Sequence, residues 1–432
     1  MMRVVELSKC SPKERKELLK RSEIRIESVL RDVAKIVDDV RRRGDRALLE
    51  YTKKFDKVTI FQKRLRVSED EIEQAVRACD EETIKALENL ARAIRKFHLK
   101  QLPREWFAEI SKGVTLGQVL RPLDRVGVYV PGGQARYPST LLMGTVPAKV
   151  AGVKEVIVCT PPMRDGSVNS VILAAAKIAK VDAVFRVGGA QAIAAMAYGT
   201  ESIPKVDKIV GPGNIYVSAA KRLVSSVVDV DFEAGPTELL IVADESASPV
   251  FLAADIIAQA EHDVEAACVL VTTSRDLARE TQKWIMKLLV EIPRKNIVIE
   301  SLNRRGLIVL VKNLQEAIDF ANDYAPEHLE LVVKNSKKYL KKVRNAGAIF
   351  LGSFSPVAVG DLASGPNHIL PTGGKARFRS GLSVLDFLKI LSVQELTRKG
   401  LKRLAPIVNA IAKVEDLEAH SLSVKVRLQR ED

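Results

Sequence analysis

The stretch AVFRVGGAQAIAAMAYG, residues 183–199, opens with β-branched and aromatic residues, bends at Gly188-Gly189 and continues as an Ala-rich run. That order predicts a strand, a tight turn and a helix, because branched side chains fit a pleated surface, glycine permits the bend, and alanine is the strongest helix former. The same grammar recurs on both sides. DRVGVYVPGG (124–133) and KEVIVCTPP (154–162) precede it, and ELLIVADES (238–246), ACVLVTTS (267–274) and LIVLVKN (307–313) follow. Short strands alternating with helices pair in parallel through crossovers, so two Rossmann-like parallel α/β domains are expected, as incomplete dinucleotide folds with a possible duplication.

The flanks follow other rules. Residues 26–55 and 71–97 repeat apolar positions every three or four residues and predict a helical shoulder. Residues 379–420 read as amphipathic helix and SLSVKVRLQ (421–429) alternates like a strand. The expected organisation is a helical N-terminal arm at 1–24, a first α/β domain at 25–130 and 238–378, a second α/β domain at 131–237, and a tail at 379–432. That tail is apolar enough to need another surface to cover it.

A chain of 432 residues, 47% of them hydrophobic, can bury more than one core. Its first residues lack an apolar signal region and no run is long enough to span a bilayer, so no membrane role and a cytoplasmic location are expected. Four dispersed cysteines, without C-x-x-C spacing, read as plain thiols in a reducing compartment. The formal charge of +14 is scattered among acidic residues, which argues against a nucleic-acid partner. Few Gln and Asn among many Lys, Arg and Glu would suit a heat-adapted protein.

Five histidines are present. His98 sits in an ordinary helical pattern, but the other four each have a carboxylate or amide nearby: Gln259 with His262, Glu327 with His328, Asp361 before His368, and Glu415 before His420. Ser248-Pro249 predicts a helix start that brings Gln259 and His262 to one face near the helix end. Gln259, His262, Asp361 and His420 would give a divalent metal two nitrogen and two oxygen donors at roughly 2 Å. Taken singly, each histidine reads better as a satisfied structural group, and only together do they shift the balance, since no H-E-x-x-H or cysteine pair is present. Glu327 and His328 follow Pro326 at a turn. Adjacent residues there point in different directions, which suits two proton-transfer tasks, or else a helix-terminal acid with a packed histidine. The turns at Gly188-Gly189, GPGN (211–214) and YVPGG (129–133) bend before helices whose free N–H groups would suit a pyrophosphate. None is G-x-G-x-x-G followed by an acidic residue, so tight packing is an equal reading.

Together the fragments resemble the histidinol dehydrogenase family. VYVPGG, STLLMGTVPAKVAGV, GGAQAIAAMAYGT, VGPGNIYV, AGPTE, AQAEHD, NDYAPEHLE, VGDLASGPNHILPTGGKARF and SGLSVLDFLK occur in the family's order across almost the whole chain. The resemblance implies oxidation of L-histidinol to L-histidine in two NAD-dependent steps through a bound aldehyde, with one zinc per site in a homodimer. It also implies zinc ligands at Gln259, His262 and Asp361, joined by His420 from the exchanged C-terminal tail of the other subunit, and a catalytic pair at Glu327 and His328. His368, Glu415, Ser139 and Thr237 match substrate-contacting positions, alongside His328 and the four metal ligands. Tyr129, Gln191 and Asn214 match positions that touch NAD. Thr237 departs from the commoner serine, keeping the hydroxyl and adding a methyl. Two other classes compete: a zinc hydrolase in which Glu327 activates water without NAD, which the glycine turns disfavour, and a basic nucleic-acid-binding protein.

Overall fold

The computed structural model describes residues 2–21, 26–132, 137–232 and 235–429. They form two compact units, one within residues 1–101 and 124–387, the other within 102–123 and 388–432.

The first unit holds two parallel sheets. The six-stranded sheet runs in the order Arg3–Glu6, Leu307–Leu310, Ala267–Thr272, Glu238–Ala243, His328–Val332, Ala348–Leu351. Its central strands, Glu238–Ala243 and Ala267–Thr272, are buried at every position, which is why they read as continuous rather than alternating apolar runs. The five-stranded sheet runs Ala183–Arg186, Glu155–Thr160, Arg125–Tyr129, Lys208–Val210, Asp229–Val230. The strand order reverses beside Arg125–Tyr129 in the five-stranded sheet and beside Glu238–Ala243 in the six-stranded one. Such a reversal opens a crevice between diverging connections. The helix Gly189–Tyr198 is almost wholly buried, and its small side chains let it pack between the five-stranded sheet and the helices Glu27–Arg43 and Ile215–Val224.

Four local expectations are corrected. The N-terminal arm is not all helical: Arg3–Glu6 is an edge strand, because its two valines meet the apolar strand Leu307–Leu310. Only Pro12–Leu18 is α-helical there, started by a Ser11–Glu14 capping box, and residues 22–24 of the arm lie outside the described residues. Arg125–Tyr129 pairs with Glu155–Thr160, so a boundary after residue 130 separates a strand from its own sheet, and the helix Glu27–Arg43 shares that sheet's core. In the tail, Leu388–Leu396 is a strand rather than a helix, paired antiparallel along its length with Val114–Pro122. SLSVKVRLQ lies in the helix Glu418–Gln429 rather than a strand.

These last elements make the second unit, a three-stranded antiparallel sheet of Trp106–Ser111, Val114–Pro122 and Leu388–Leu396 with the helices Arg398–Val414 and Glu418–Gln429. Among the described residues no helix is long and apolar enough to cross a membrane.

Candidate active site

The densest polar cluster lies at the amino ends of two neighbouring strands, Glu238–Ala243 and His328–Val332. The helix Leu314–Tyr324 stops at Ala325, which adopts a left-handed φ of 48°, and Pro326 turns the chain into Glu327 and His328. Both side chains are buried. They do not diverge as expected, but converge on the main chain of Glu238. Glu327 Oε2 accepts from the Glu238 N–H at 2.8 Å and from the Thr237 hydroxyl at 2.6 Å. His328 Nδ1 lies 3.0 Å from the Glu238 carbonyl. A carbonyl only accepts, so Nδ1 carries a proton in either state of the ring, and Nε2 is the atom that loses its proton when the ring becomes neutral. Nε2 is buried without a hydrogen-bond partner, 3.6 Å from Asp361 Oδ1. The two catalytic candidates are also coupled directly, with His328 Nδ1 3.5 Å from Glu327 Oε2.

Burial pushes the Glu327 carboxyl up to about 7, against the opposing pull of His328, Thr237 and the Glu238 N–H. Burial alone would lower His328, but the charges of Glu327 and Asp361 outweigh it and raise the imidazole to about 9. Burial would raise Asp361, yet its contact with His328 wins and holds it below the usual carboxylate range. A carboxyl near neutrality beside a histidine is the pairing that acid–base chemistry uses.

Around this pair stand the ligand candidates. Gln259 is buried in the last turn of the helix Pro249–Ala260, and His262 follows beyond the helix end, exposed. The Thr237 hydroxyl gives its proton to Glu327, so its lone pairs face Gln259, whose Nε2 donates to it. That orients the Gln259 amide with Oε1 turned from Thr237. His262 feels the charges of Asp361 and His328. His368 Nδ1 lies 3.1 Å from the Asp361 carbonyl, and its Nε2 takes the Thr140 hydroxyl at 3.2 Å. Thr237, Gln259, His262, Glu327, His328, Asp361 and His368 therefore form one connected cluster. Glu415 and His420 are exposed and belong to the second unit. Among the described residues no three His, Cys, Asp or Glu side chains converge as a metal site.

The cofactor candidates gather at the opposite, carboxyl edge of the five-stranded sheet. Tyr129 ends the central strand, and its hydroxyl accepts from the Gly189 N–H at 3.1 Å. One N–H expected to be free for an anion is thus already engaged. Gln191 is buried in the same helix, beside Gly189. Asn214 caps the helix Ile215–Val224, its Oδ1 accepting from Tyr216 and Val217 N–H at 3.0 and 3.2 Å. Gly211 has φ +112°, and a Cβ there would stand 2.1 Å from the Tyr129 carbonyl, so only glycine lets these turns meet. Ser139 is half-buried in the first turn of the helix Pro138–Ala151. Gly133, the last glycine of the YVPGG turn, lies outside the described residues. A cavity of about 870 Å³ beside the edge strand Ala348–Leu351 is lined by none of the catalytic candidates.

Sequence reasoning missed three participants. Glu238 holds both Glu327 and His328 by its main chain, which no side-chain pattern announces. Thr140 was one residue from a candidate and marked by nothing local. Glu330 is a buried acid beside Asp255, in contact with it across the strand–helix interface, and only its alternation with His328 along the strand hinted that both face one way.

The family model described as histidinol dehydrogenase matches residues 19–428. A histidinol dehydrogenase of Methanothermobacter thermautotrophicus is 51% identical over 413 residues, covering 96% of each chain. One from Methanocaldococcus jannaschii is 46% identical over 99% of each. The crystal structure of histidinol dehydrogenase from Elizabethkingia anophelis superposes with a TM-score of 0.96 at 39% identity, covering 99% of this chain and 98% of that one.

Proposed function

The chain belongs to the histidinol dehydrogenase family, the oxidoreductases of histidine biosynthesis that act on histidinol, and from that premise we propose that it oxidises L-histidinol to L-histidine in two NAD-dependent steps through a bound aldehyde, using zinc. The observation that carries this reading is His328 Nε2, buried without a hydrogen-bond partner and 3.6 Å from Asp361 Oδ1, beside a carboxyl that burial pushes up to about 7. In the first step the neutral form of His328, a minor one at pH 7 for a ring raised to about 9, takes the proton of the substrate hydroxyl at Nε2 as the carbinol carbon gives up its hydride. In the second, Glu327 takes a proton from water as that water's oxygen adds to the aldehyde carbon, and protonated His328 returns a proton to the carbonyl oxygen to complete the gem-diol; one hydroxyl proton then goes back to His328 as the second hydride leaves, and the acid is formed. NAD, when bound, accepts each hydride, and zinc, when bound, grips the substrate's imidazole and amine as a Lewis acid.

The residues fit both groups. Gln259 is held with its Nε2 on Thr237, which leaves its oxygen for a metal, and the low carboxyl of Asp361 and the exposed ring of His262 are suitable companions. Three donors from one chain leave a fourth to be found, and the reading assigns it to His420 of the partner subunit in a homodimer, with Glu415 of the partner subunit at the substrate. Ser139, Thr237 and His368 complete the substrate contacts. Tyr129, Gln191 and Asn214 lie at the carboxyl edge of the five-stranded sheet beside its strand-order reversal, the kind of place where parallel sheets bind dinucleotides. The enzyme is expected in the cytoplasm.

The test is a count of NADH formed per histidinol consumed, with metal-stripped and zinc-restored protein. About two NADH with little free aldehyde, and activity only with metal, is the expected result. One NADH with aldehyde accumulating would overturn the two-step reading. The shared site is tested by refolding His262→Ala together with His420→Ala. Random pairing makes half the dimers mixed, each with one intact site of two, so about a quarter of the activity returns. No recovery, with mixed dimers confirmed by native mass, rules the shared site out.

A further inference from the structure

Arg21 is a charged side chain only 8% exposed, and its surroundings belong to three separate segments. Its guanidinium lies over the Tyr324 ring, 3.9 Å from the centroid. Tyr324 closes the helix whose next turn delivers Glu327 and His328. Its Nε stands 3.5 Å from Glu238 Oε1, and Glu238 is the residue whose N–H and carbonyl hold those same two side chains. The third segment is the loop at residues 372–374. The Gly373 N–H donates to Glu238 Oε1 at 2.8 Å, and a Cβ at Gly374 would stand 2.7 Å from Arg21 Nη1. The loop's Thr372 hydroxyl in turn accepts from the Gly235 N–H at 2.5 Å, two residues before Thr237.

This ion pair is badly designed for stability alone. Arg21 Nη2 and Glu238 Oε2 are buried with no hydrogen-bond partner, and a buried pair left partly unsatisfied gains less than its desolvation costs. What it does supply is geometry. A planar guanidinium can stack on a ring and face a carboxylate at once, which a lysine cannot reproduce. We propose that Arg21 is a positioning residue, clamping Tyr324, Glu238 and the 372–374 loop so that Glu327 and His328 are both held to the main chain of Glu238. The N-terminal segment is then part of the catalytic apparatus without touching substrate. The inference rests on the reading that Glu327 and His328 move the protons.

The experiment compares Arg21→Met, Arg21→Lys and Glu238→Gln in the full-length, zinc-loaded protein, with histidinol and with supplied aldehyde as separate substrates. A misplacement of about 1 Å at reacting groups costs roughly a hundredfold in rate. Arg21→Met and Glu238→Gln are expected to lower kcat by tenfold to a hundredfold for both substrates, with both KM values within about twofold of wild type and zinc content unchanged. Arg21→Lys should recover only a small part of the loss, and millimolar guanidinium should restore activity to Arg21→Met but not to Glu238→Gln. Full kcat well below the melting temperature, with only that temperature lowered, would make the clamp merely structural and overturn the proposal. If Arg21→Met does not fold, Glu238→Gln decides by the same readout. Glu327→Gln and His328→Asn run in parallel separate the two levels. If they keep full activity, the underlying reading fails, whereas if they are inactive and the clamp variants retain kcat, only this inference falls.

Discussion

Replacing Thr237 by valine removes one hydroxyl and almost no volume, and the structure says what that hydroxyl does. It donates to Glu327 Oε2 at 2.6 Å, one of two donors that favour the charged carboxylate against the burial that raises it to about 7. A hydrogen bond to a charged group contributes about 1.5–3 kcal/mol, and about 1.4 kcal/mol is one pKa unit, so its loss should raise Glu327 by roughly one to two further units. The ionised fraction at pH 7 then falls from about one half to between roughly a tenth and a hundredth. Oxidation of supplied aldehyde, which needs Glu327 as a base, should drop roughly fivefold to fiftyfold at pH 7 and recover as the pH rises. NADH formation from aldehyde, followed from pH 6 to 10 for wild type, Thr237→Ser and Thr237→Val, reads this directly. The serine variant should track wild type, because it keeps the proton. Zinc content must be measured alongside, since Gln259 loses its acceptor in the same change. An acid limb at the wild-type position in Thr237→Val, or a loss of equal size at every pH, would refute the reasoning.

Glu327→Gln should damage aldehyde oxidation far more than the alcohol step, and His328→Asn the reverse; their contact at 3.5 Å sets how much the two losses blend, and equal losses in both half-reactions for both variants would remove the division of labour. Glu330 is raised to about 8, first by burial and then by the charge of Asp255, itself raised to about 6 by burial. A carboxyl raised on folding contributes stability fully present below its ordinary value near 4.5 and lost as the pH climbs through 8. The melting temperature of wild type should therefore fall, relative to Glu330→Gln, between pH 5 and 8, and parallel curves would show the acid to be solvated. Gly211→Ala forces a Cβ to 2.1 Å from the Tyr129 carbonyl at φ +112°, so it should lower NAD affinity and cost more than about 3 kcal/mol in stability by chemical denaturation; a soluble, NAD-binding variant of wild-type stability would mean the turn relaxes freely.

The parallel architecture was legible because each central strand is an uninterrupted apolar run bounded by turn residues, as in ELLIVA and ACVLVT, and burial on both faces demands that pattern. The tail misled because its partner is remote. Leu388–Leu396 becomes a strand only by pairing with Val114–Pro122, some 270 residues earlier, and no local periodicity encodes a ladder of that kind. The connected cluster was legible in its titratable members, since few histidines occur and each sits beside another polar residue. What stayed hidden was the scaffold between them. The Glu238 main chain, the Thr237 relay and the Arg21 stack act through atoms or distances that a residue-type pattern does not carry.

The amino-edge placement of Glu327 and His328 leaves the far rim of the six-stranded sheet free of any assigned chemistry. There, at the carboxyl end of His328–Val332, the exposed Lys334 and Asn335 form a turn with Asn335 at φ +60°. Lys334 lies six residues beyond His328, and at about 3.3 Å each an extended chain puts that turn roughly 20 Å from His328. A probe coupled at the exposed Lys334 would therefore be carried by the strand that begins with His328. It offers an optical handle on that strand's environment in a working enzyme, and an attachment point for immobilising it.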